Sequence, residues 1–580
     1  MDQNALCRRN VDFLLHDWLN IGERIDRETA DAILDLSEQL AAEQFLPHYK
    51  LADVHEPYLH NDMVHVYPAI GTALQQYAEL GLFSAGFPSE LGGMELPYTV
   101  CAASFAMFAA ANIATAAYPM LTVANARLIA EFGNAAQVET FARPQIAGKW
   151  YGTMCLSEPQ AGSSLDNVRT RAAFEGSDEL GERYMLSGNK MWISGGDQNI
   201  SENIIHLVLA KIPLPDGTLP EGTAGLSLFI VPKVLPSGSL NDVRVAGLNH
   251  KMGYRGTANC LLNFGEAGGA VGWRVGEPGQ GLRQMFMMMN EARIAVGIGA
   301  AALASRSFRL AINYAAERLQ GRQAGSNPNE QVAIINHADV KHMLLQQKSY
   351  VEGALALTLY CAHLVDEAAD ETSSALLGLL TPIAKTWSSE FGLAANDIAI
   401  QIHGGYGYTR DFDVEQLWRD NRLNPIHEGT TGIQAIDLLG RKILKDGAGV
   451  GALRDRIAVT VKLASESPDT EVFATTLSCA WSAIEDTIGA LSRLEQTKVL
   501  DNATPFLRAF GNVVVAWLWL DQLVAAVGND DSTLTQSHFL EGKRRACGYF
   551  FEFELPKTQA LIPAICRGSQ VAAAAHVEIF

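Results

Sequence analysis

The spacing at which apolar residues recur changes twice along this 580-residue chain. The order of the segments that result limits the folds that the chain can adopt. Between Asp26 and about Arg143 apolar residues stand three and four positions apart, which predicts helices. Between about Trp150 and Gly265 the runs are short, partly β-branched and punctuated by Gly and Pro, which predicts strands. Helical periodicity returns at Leu282. Segregated runs of this kind favour an α+β multidomain chain over an alternating βαβ one.

Smaller segments give finer expectations. Tyr184–Gly196 predicts a strand, a turn at Gly188-Asn189 and a second strand. Lys445–Gly451 ends with three glycines in five residues, which predicts a linker. The long alanine-rich stretches after Leu282 predict a helical bundle. The expected domains are a helical domain at 1–149, a central β domain at 150–268, a helical bundle at 269–446 and a C-terminal helical extension at 447–580.

Composition excludes several classes of function. The net charge of −20 disfavours binding to nucleic acid or to an anionic membrane surface. Met1–Trp18 has no secretory pattern, and the longest apolar runs, such as Val513–Leu520, are too short for a bilayer, so we expect no transmembrane segment. The eight cysteines are scattered without a CxxC pair, which predicts free thiols in a reducing compartment, with neither a disulfide framework nor a metal site.

Two polar segments flank the start of the β region. In Leu156-Ser-Glu-Pro-Gln-Ala-Gly-Ser-Ser the hydroxyls of Ser157 and Ser163 are potential donors beside a glycine that admits a ligand, although an ordinary polar loop is the alternative. In Lys190-Met-Trp-Ile-Ser the ring of Trp192 could stack on a flat ligand and Ser194 could donate to it. The alternative for Trp192 is a core side chain.

Two glycine-rich segments follow the bundle helices. Gln401-Ile-His-Gly-Gly-Tyr-Gly-Tyr could contact a pyrophosphate through backbone amides, but no strand precedes it, so it is no dinucleotide fingerprint. Ile426-His-Glu-Gly-Thr-Thr-Gly sets one carboxylate, Glu428, in a glycine-flanked loop among apolar residues. That pattern suits a general base, and equally an acidic residue at a helix start.

Taken in order, these segments resemble the acyl-CoA dehydrogenase family over almost the whole chain to about Leu444. The resemblance implies an N-terminal helical domain, a central β-barrel-like domain and a four-helix bundle, with FAD between them. It also implies the reaction, an FAD-dependent α,β-dehydrogenation of acyl-CoA thioesters to trans-2-enoyl-CoA in fatty-acid β-oxidation. Electron-transfer flavoprotein is the acceptor that it implies.

The resemblance implies a cofactor role for nine residues and a substrate role for four. Ser157 and Ser194 would hydrogen-bond the flavin ring and Trp192 would pack on it. An arginine at the position of Arg318 reaches the FAD of a neighbouring subunit, and Gln401, Gly404 and Gly405 would hold the cofactor's other end. The remaining implied FAD contacts are Leu156 and Thr430, and the implied substrate contacts are Ser163, Asn290, Arg293 and Gly429.

Glu428 would abstract the α-proton, with its own backbone N–H helping to stabilise the thioester oxygen. Some family members carry the base on the helix before the arginine at the position of Arg293. Here that position is Ala292, which cannot act as a base. The sequence departs from the family pattern at His427, where a tyrosine is usual, and at Ser164, where an aspartate is usual. His427 could line the acyl pocket, tune the base or only pack.

The long C-terminal extension and longer N-terminus resemble the large bacterial subgroup that includes methylthiopropanoyl-CoA and some fatty-acyl-CoA dehydrogenases. We therefore expect a cytoplasmic homodimer. Met285 and Met287 to Met289 could form a pliable acyl wall or belong to the helix core. Medium-to-long straight chains are the expected substrates, with short or sulfur-containing chains as the alternative. An acyl-CoA oxidase and a catalytically silent binding protein are the rival functions, and Glu428 argues against the second.

Overall fold

The computed structural model describes residues 5–322, 331–528 and 534–580, which fall into two compact units. The first, called here the β unit, consists of Ile33–Pro97 and Met107–Ala295. The second, called here the helical unit, consists of Met1–Ala32, Tyr98–Ala106 and Val296–Phe580. The order of helices, strands and then helices agrees with the α+β class predicted from the apolar period.

An eight-stranded sheet forms the centre of the β unit. The last strand in the sequence, β10 (Ala270–Val275), pairs antiparallel with both β5 (Gly181–Ser194) and β7 (Leu226–Pro232). This double pairing closes part of the sheet into a ring and confirms the β-barrel-like prediction. Strands β6 (Asn203–Lys211) and β7 are buried along their whole length. Both faces of these strands are therefore covered, and buried and exposed residues do not alternate along them. The strands are β3 (Trp150–Cys155), β4 (Arg171–Asp178), β5 (Gly181–Ser194), β6 (Asn203–Lys211), β7 (Leu226–Pro232), β8 (Val243–Leu248), β9 (Asn259–Phe264) and β10 (Ala270–Val275).

The predicted turn at Gly188-Asn189 is wrong, because β5 runs unbroken from Gly181 to Ser194. Before Gly188 the strand pairs with β4 and β10, and from Gly188 onward it pairs with β9. Gly188 has a φ of +155°, and a Cβ there would lie 2.5 Å from the Thr170 hydroxyl. The glycine therefore lets the strand change partners where the sequence signal suggested a reversal.

Helices and a small hairpin complete the β unit. Its long helix is buried along most of its length, as the alanine-rich sequence predicts, and it kinks at Asn112, whose φ is −161°. The hairpin consists of two antiparallel strands, β1 (Tyr58–His60) and β2 (Met63–His65). The helices that lie wholly or partly in this unit are α2 (Arg27–Leu40), α3 (Tyr49–Val54), α4 (Pro68–Glu79), α5 (Tyr98–Phe132), α6 (Ala135–Gln137), α7 (Arg143–Ile146) and the start of α8 (Gly281–Glu317).

The helical unit holds the long helices predicted after Leu282. Gly297 on α8 shows how closely they pack, since a Cβ there would lie 2.6 Å from the Ala384 carbonyl oxygen. Its other α-helices are α1 (Arg8–Asp12), α9 (Ala338–Asp366), α10 (Glu371–His403), α11 (Val414–Asn421), α12 (Thr431–Ile436), α13 (Ala448–Ala464), α14 (Glu471–Leu491), α15 (Gln496–Asp501), α16 (Ala503–Gly528), α17 (Leu534–Tyr549) and α18 (Lys557–Cys566).

The segment predicted as a linker is a tight break between two helices. A π-helical segment runs to Asp446, Gly447 adopts a left-handed φ of +75°, and α13 begins at Ala448. A Cβ on Gly449 would lie 2.6 Å from the Ala375 carbonyl oxygen. The glycines thus serve a tight break between two helices and close packing. The linker prediction is wrong because composition alone does not separate these uses from flexibility.

Tryptophans join the C-terminal helices to the bundle. The buried indole N–H of Trp387 on α10 donates to Asn512 of α16 at 3.0 Å, and that of Trp519 on α16 donates to the Ser349 carbonyl of α9 at 3.1 Å. Lys543 of α17 is almost fully buried and contacts Glu352 of α9 at 3.0 Å. These contacts bury apolar faces of α9 and α10 under the extension.

Three helices in the described ranges are long and apolar enough to cross a membrane by length and composition: Tyr98–Phe132, Gly281–Glu317 and Ala503–Val527. This corrects the expectation that every apolar run is too short. Between 78% and 89% of the most apolar window of each helix is buried inside the protein, as expected of a core helix. The absence of a transmembrane segment stays a prediction.

One group in the described part of the chain has side chains spaced for a metal ion, namely Asp12, His16 and Asp31. Arg8 donates to Asp12 at 2.6 Å and to Asp31 at 3.4 Å, and Arg27 lies 3.5 Å from Asp31. Because arginines already balance these carboxylates, the group carries no metal assignment.

Ending the chain after Gly447 removes the helices that cover α9 and α10, so we expect aggregation or a new oligomer from the exposed apolar faces. Size-exclusion chromatography with light scattering measures this. The control ends after Gly568, because the removed tail is mostly exposed, with Val571 at 86% and Phe580 at 96%. A Gly447-terminated chain that stays soluble at the full-length oligomeric state would contradict the expectation.

Candidate active site

A buried ion pair joins the two predicted flavin segments of the β unit. The Lys190 side chain is 0% exposed and that of Glu158 is 3% exposed, and their charged atoms lie 3.0 Å apart. Lys190 also donates to the Leu156 carbonyl at 2.9 Å, and the Met191 N–H donates to the Ser157 carbonyl at 3.0 Å. The structure therefore brings 156–158 and 190–192 together, although they are more than thirty residues apart in sequence.

Glu158 is held by more donors than Lys190 alone. Its carboxylate accepts from the Arg169 N–H at 2.8 Å, the Thr170 N–H at 3.0 Å and the Thr170 hydroxyl at 2.6 Å. Burial raises the pKa of Glu158, but the Lys190 ammonium and these hydrogen bonds outweigh it, so the pKa lies below its usual range. Glu158 is therefore a structural anion at neutral pH.

Trp192 has an unusual backbone and an exposed ring. Its φ is +66°, a left-handed conformation that is rare for an aromatic residue. The pairing of β5 with β9 shifts register between Lys190 and Ile193, so Trp192 lies in a bulge, and it is 58% exposed. The core alternative for Trp192 is therefore wrong, and a strained bulge that displays a large aromatic ring is typical of a ligand site.

The hydroxyl candidates differ in their surroundings. The Ser194 hydroxyl accepts from the Asn259 amide at 3.3 Å, and a hydroxyl that accepts one bond keeps its own proton for donation. Ser157 is partly buried and Ser163 is exposed. Ser164, which departs from the family pattern, donates to Asp166 at 3.2 Å.

The α8 residues of the β unit divide into surface and core. Asn290 is exposed, whereas Arg293 is only 4% exposed. Met285 and Met288 belong to the hydrophobic core of this unit, which favours the core alternative for both over the acyl wall. The side chain of Met287 lies outside the described residues.

In the helical unit, Glu428 stands in a left-handed conformation with φ +53°, followed by Gly429 at +90°. The residue that caps α12 is Thr430, whose hydroxyl accepts from the Ile433 N–H at 3.5 Å. Glu428 precedes that cap by two residues, so Thr430 and not Glu428 is the N-cap of α12, and the choice between a general base and an acidic residue near the helix start stays a prediction. The strained backbone of Glu428 is of the kind found at catalytic positions.

Two buried side chains hold the backbone of this loop. The Gln434 amide donates to the Glu428 carbonyl at 2.9 Å. The Lys385 ammonium of α10 donates to the Gly429 carbonyl at 2.7 Å. Both Gln434 and Lys385 are 0% exposed, so the two donors are fixed by the packing around them.

His427 is linked to a chain of buried amides. Its Nε2 atom lies 3.1 Å from the Asn424 side-chain oxygen, Asn424 donates to Asn421 at 2.9 Å, and Asn421 donates to Asn396 of α10 at 2.6 Å. Burial and, to a smaller extent, the nearby Lys385 ammonium together lower the pKa of His427 to about 3. His427 as a whole residue is partly exposed. Because its pKa is lowered, His427 is a neutral hydrogen-bonding group at neutral pH.

The glycine-rich segment that is predicted to contact a pyrophosphate lies on the surface of the helical unit. Gly404 has a φ of +59°, and a Cβ on Gly404 or Gly405 would have open space within 4 Å. The Arg318 guanidinium lies 5.9 Å from the centre of the Tyr406 ring, and Gln401 and Arg318 are exposed. The structure therefore brings Arg318 beside the glycine turn, and the FAD contacts of these residues stay predictions.

The sequence reasoning missed the lysines and their partners. Lys190 and Glu158 lie in the two predicted flavin segments without a predicted role of their own, and the sequence predicts no role for Lys385 or Gln434. A lysine inside an otherwise apolar helix, as in Ile383-Ala-Lys385, is a usable signal, because an unpaired buried ammonium is costly.

Profiles of four protein families match consecutive parts of the chain. "Acyl-CoA dehydrogenase, N-terminal domain" matches residues 27–149 and "Acyl-CoA dehydrogenase, middle domain" matches 153–267. "Acyl-CoA dehydrogenase, C-terminal domain" matches 279–444, and "Acetyl-CoA dehydrogenase C-terminal like" matches 453–576.

Named proteins are similar over almost the whole chain. The 3-methylmercaptopropionyl-CoA dehydrogenase of Ruegeria pomeroyi is 34% identical over 92% of this chain and 92% of its own. The broad-specificity linear acyl-CoA dehydrogenase FadE5 of Mycobacterium tuberculosis is 32% identical over 92% of this chain and 91% of its own. The solved structure of an acyl-CoA dehydrogenase from Bacillus anthracis, complexed with FAD, superimposes with a TM-score of 0.75 at 20% identity, covering 98% and 93% of the two chains.

Lys190→Met leaves the Glu158 carboxylate buried without its ammonium, so we expect a loss of about 3–5 kcal/mol in the free energy of unfolding at neutral pH. Because the folded pKa of Glu158 lies below the unfolded one, its stabilisation is present above the unfolded pKa and lost as pH falls through the folded one. Without Lys190 that folded pKa rises, and stability declines from a higher pH. Urea unfolding as a function of pH measures both effects.

Lys211→Met is the matched control. Lys211 is also buried, but its ammonium donates to the Asp166 backbone carbonyl at 2.9 Å. We expect a smaller loss, on the order of 1–3 kcal/mol, with no change in the acid limb. Adding Glu158→Gln to Lys190→Met is expected to recover part of the stability, and no recovery would contradict the role given to the ion pair.

Proposed function

The chain belongs to the acyl-CoA dehydrogenase family, an oxidoreductase family, and on that premise we propose that it oxidises acyl-CoA thioesters to trans-2-enoyl-CoA with FAD as cofactor. The observation that carries the proposal is Glu428, a carboxylate in a left-handed, glycine-flanked loop whose backbone is held by buried donors. A general base must be presented in one fixed orientation, and this loop meets that requirement.

The residues present suit FAD. Trp192 offers an exposed aromatic face to a flat ring system, Ser194 keeps a proton for a ring acceptor, and Ser157 and Leu156 adjoin Trp192 through the Lys190 contacts. The open backbone at Gly404 and Gly405, with Arg318 and Gln401 nearby in the same unit, suits a pyrophosphate. Thr430 is a further proposed contact. FAD, when bound, supplies the acceptor for the hydride that leaves the β-carbon.

The protein's own residues supply proton transfer and positioning. Glu428 removes a proton from the α-carbon, and its backbone N–H donates to the thioester oxygen as that oxygen gains charge. Gly429 lets the loop approach the thioester closely. Ser163, Asn290 and Arg293 are the proposed contacts to the rest of the acyl-CoA. The neutral His427 adds polarity beside the base without adding charge.

We propose medium-to-long straight chains as substrates, within fatty-acid β-oxidation. The support is the M. tuberculosis relative, whose name specifies linear acyl-CoA. Met285 and Met288 lend no support, because they lie in the core. A short sulfur-containing chain is the second candidate, favoured by the name of the R. pomeroyi relative. A panel of acyl-CoAs of graded length, with 3-methylmercaptopropionyl-CoA included, distinguishes them by kcat/KM.

The remaining parts of the proposal concern partners and organisation. Electron-transfer flavoprotein is the proposed electron acceptor, and a cytoplasmic homodimer with the four domains given above is the proposed state. An acyl-CoA oxidase is the rival. Anaerobic reduction by substrate followed by admission of oxygen separates the two, since slow reoxidation is expected of a dehydrogenase and fast reoxidation would favour the oxidase.

Glu428→Gln is expected to keep the fold and bound FAD but to lose at least about 10³-fold in kcat, because an amide cannot accept the α-proton. Turnover with an artificial electron acceptor measures the loss, and FAD absorbance with thermal unfolding checks integrity. Glu390→Gln is a control on the neighbouring helix, since Glu390 accepts from Thr431 at 3.0 Å, and it should retain most activity. Near-normal turnover of Glu428→Gln would refute the assignment.

A further inference from the structure

A row of three polar side chains crosses neighbouring strands of the β unit and ends at a proposed flavin contact. Ser194 on β5 and Asn259 on β9 are register partners, so their side chains share one face of the sheet. The Asn259 amide donates to the Ser194 hydroxyl at 3.3 Å. Asn249, which follows β8, donates to the Asn259 side-chain oxygen at 2.7 Å. The hydrogen bonds therefore run in one direction, from Asn249 to Ser194.

The middle amide of this row determines what the hydroxyl can do. Asn259 is 8% exposed, and its side-chain oxygen accepts from Asn249, so its NH2 group faces Ser194. An amide NH2 group donates and does not accept. The Ser194 hydroxyl consequently cannot give its proton to Asn259, and that proton is directed to another acceptor.

The backbone around Ser194 is fixed as well. The Gly195 N–H donates to the Ala258 carbonyl at 2.8 Å, and the Asn249 N–H donates to the Asn259 carbonyl at 2.9 Å. Ser194 also follows the bulge that displays the exposed ring of Trp192. A hydroxyl that accepts one hydrogen bond in such a chain is polarised and becomes a stronger donor. The row therefore supplies an oriented donor beside an aromatic platform.

A second asparagine pair on the same two strands has a different end point. Asn189 on β5 and Asn263 on β9 are register partners, and Asn189 donates to the Asn263 side-chain oxygen at 2.6 Å. Asn263 in turn donates to Glu266 at 2.6 Å, and Glu266 is exposed. This pair has the same residue types on the same strands, but its row ends at a surface carboxylate.

We propose that Asn259 and Asn249 are positioning residues for the flavin, because together they direct the Ser194 hydroxyl to donate to an acceptor atom of the flavin ring. This inference rests on the proposed contact between Ser194 and FAD. Asn249 acts through Asn259, and Asn259 acts through Ser194. A carboxylate at either asparagine position reverses the direction of the row, because an ionised carboxylate accepts and does not donate.

The test replaces each asparagine with aspartate in the FAD-containing, full-length enzyme. In Asn259→Asp the new carboxylate accepts the Ser194 proton. In Asn249→Asp the Asn259 amide turns its NH2 group to the new carboxylate, so that its oxygen accepts the Ser194 proton instead. Both variants are therefore expected to reproduce the effect of Ser194→Ala on the flavin.

The readouts are the visible absorption spectrum of the bound FAD and its midpoint potential, measured anaerobically against a redox dye. Loss of one hydrogen bond to the ring is expected to change the ratio of oxidised to reduced flavin at a fixed potential by about threefold to tenfold. For a two-electron couple this change is about 15–30 mV. Neither readout depends on turnover, and a residue that only stabilises the fold would not move them.

A negative charge near the flavin also shifts its potential, so each aspartate is introduced into Ser194→Ala as well. A charge effect persists in that background, whereas an effect through the hydroxyl disappears. Asn263→Asp is the matched control, and it should leave the spectrum and the potential close to those of the wild type. If Asn259→Asp does not fold, Asn249→Asp carries the test, because Asn249 is less buried.

The possible outcomes separate the two proposals. If Ser194→Ala changes the spectrum and the potential but the folded aspartate variants do not, the role of the asparagines is overturned and the Ser194 contact stands. Equal shifts with and without the Ser194 hydroxyl also overturn that role, because charge alone would be the cause. A wild-type spectrum and potential in Ser194→Ala overturn the Ser194 contact and this inference together. Absence of acyl-CoA oxidation by the wild type instead overturns the proposed function.

Discussion

A buried ammonium donates to a backbone carbonyl beside two of the left-handed positions of this protein, Trp192 and Glu428. Lys190 donates to the Leu156 carbonyl at 2.9 Å, and two residues later Trp192 takes a left-handed backbone. Lys385 donates to the Gly429 carbonyl at 2.7 Å, next to the left-handed Glu428. Lysine suits this use because its long apolar stem packs in apolar surroundings while its ammonium supplies three donors.

The two lysines lie in different surroundings. The charge of Lys190 is matched by Glu158 at 3.0 Å, so that pair fixes geometry and contributes to the stability of the β unit. The charge of Lys385 lies beside a loop whose histidine is neutral and whose glutamate we assign as the base. The amides of Asn424, Asn421 and Asn396 continue the support of that loop to α10 without any charge.

The sequence was informative where a signal is local or periodic. The helices and the buried strands follow from apolar spacing, whereas the roles of Trp192, Glu428 and Gly404 stay predictions. Two predictions based on glycines are wrong. Gly188, predicted as a turn, lies where a strand changes partner. Gly447, predicted as part of a linker, lies at a tight break between two helices. The lysine contacts were out of reach, since they join residues such as Lys385 and Gly429 whose proximity depends on how helices pack.

The buried Lys543 also has a consequence for the synthesis of the chain. Its ammonium donates to the side chain of Asn10 at 2.6 Å, across 533 residues of sequence, and Trp18 donates to Asp521 at 2.8 Å across 503. A ribosome adds about 5–20 residues per second, so the first helices must wait on the order of a minute for their partners. During that time the apolar side of the N-terminal segment has no native surface to cover it. A cell that makes this protein therefore has to protect its beginning until its end has emerged.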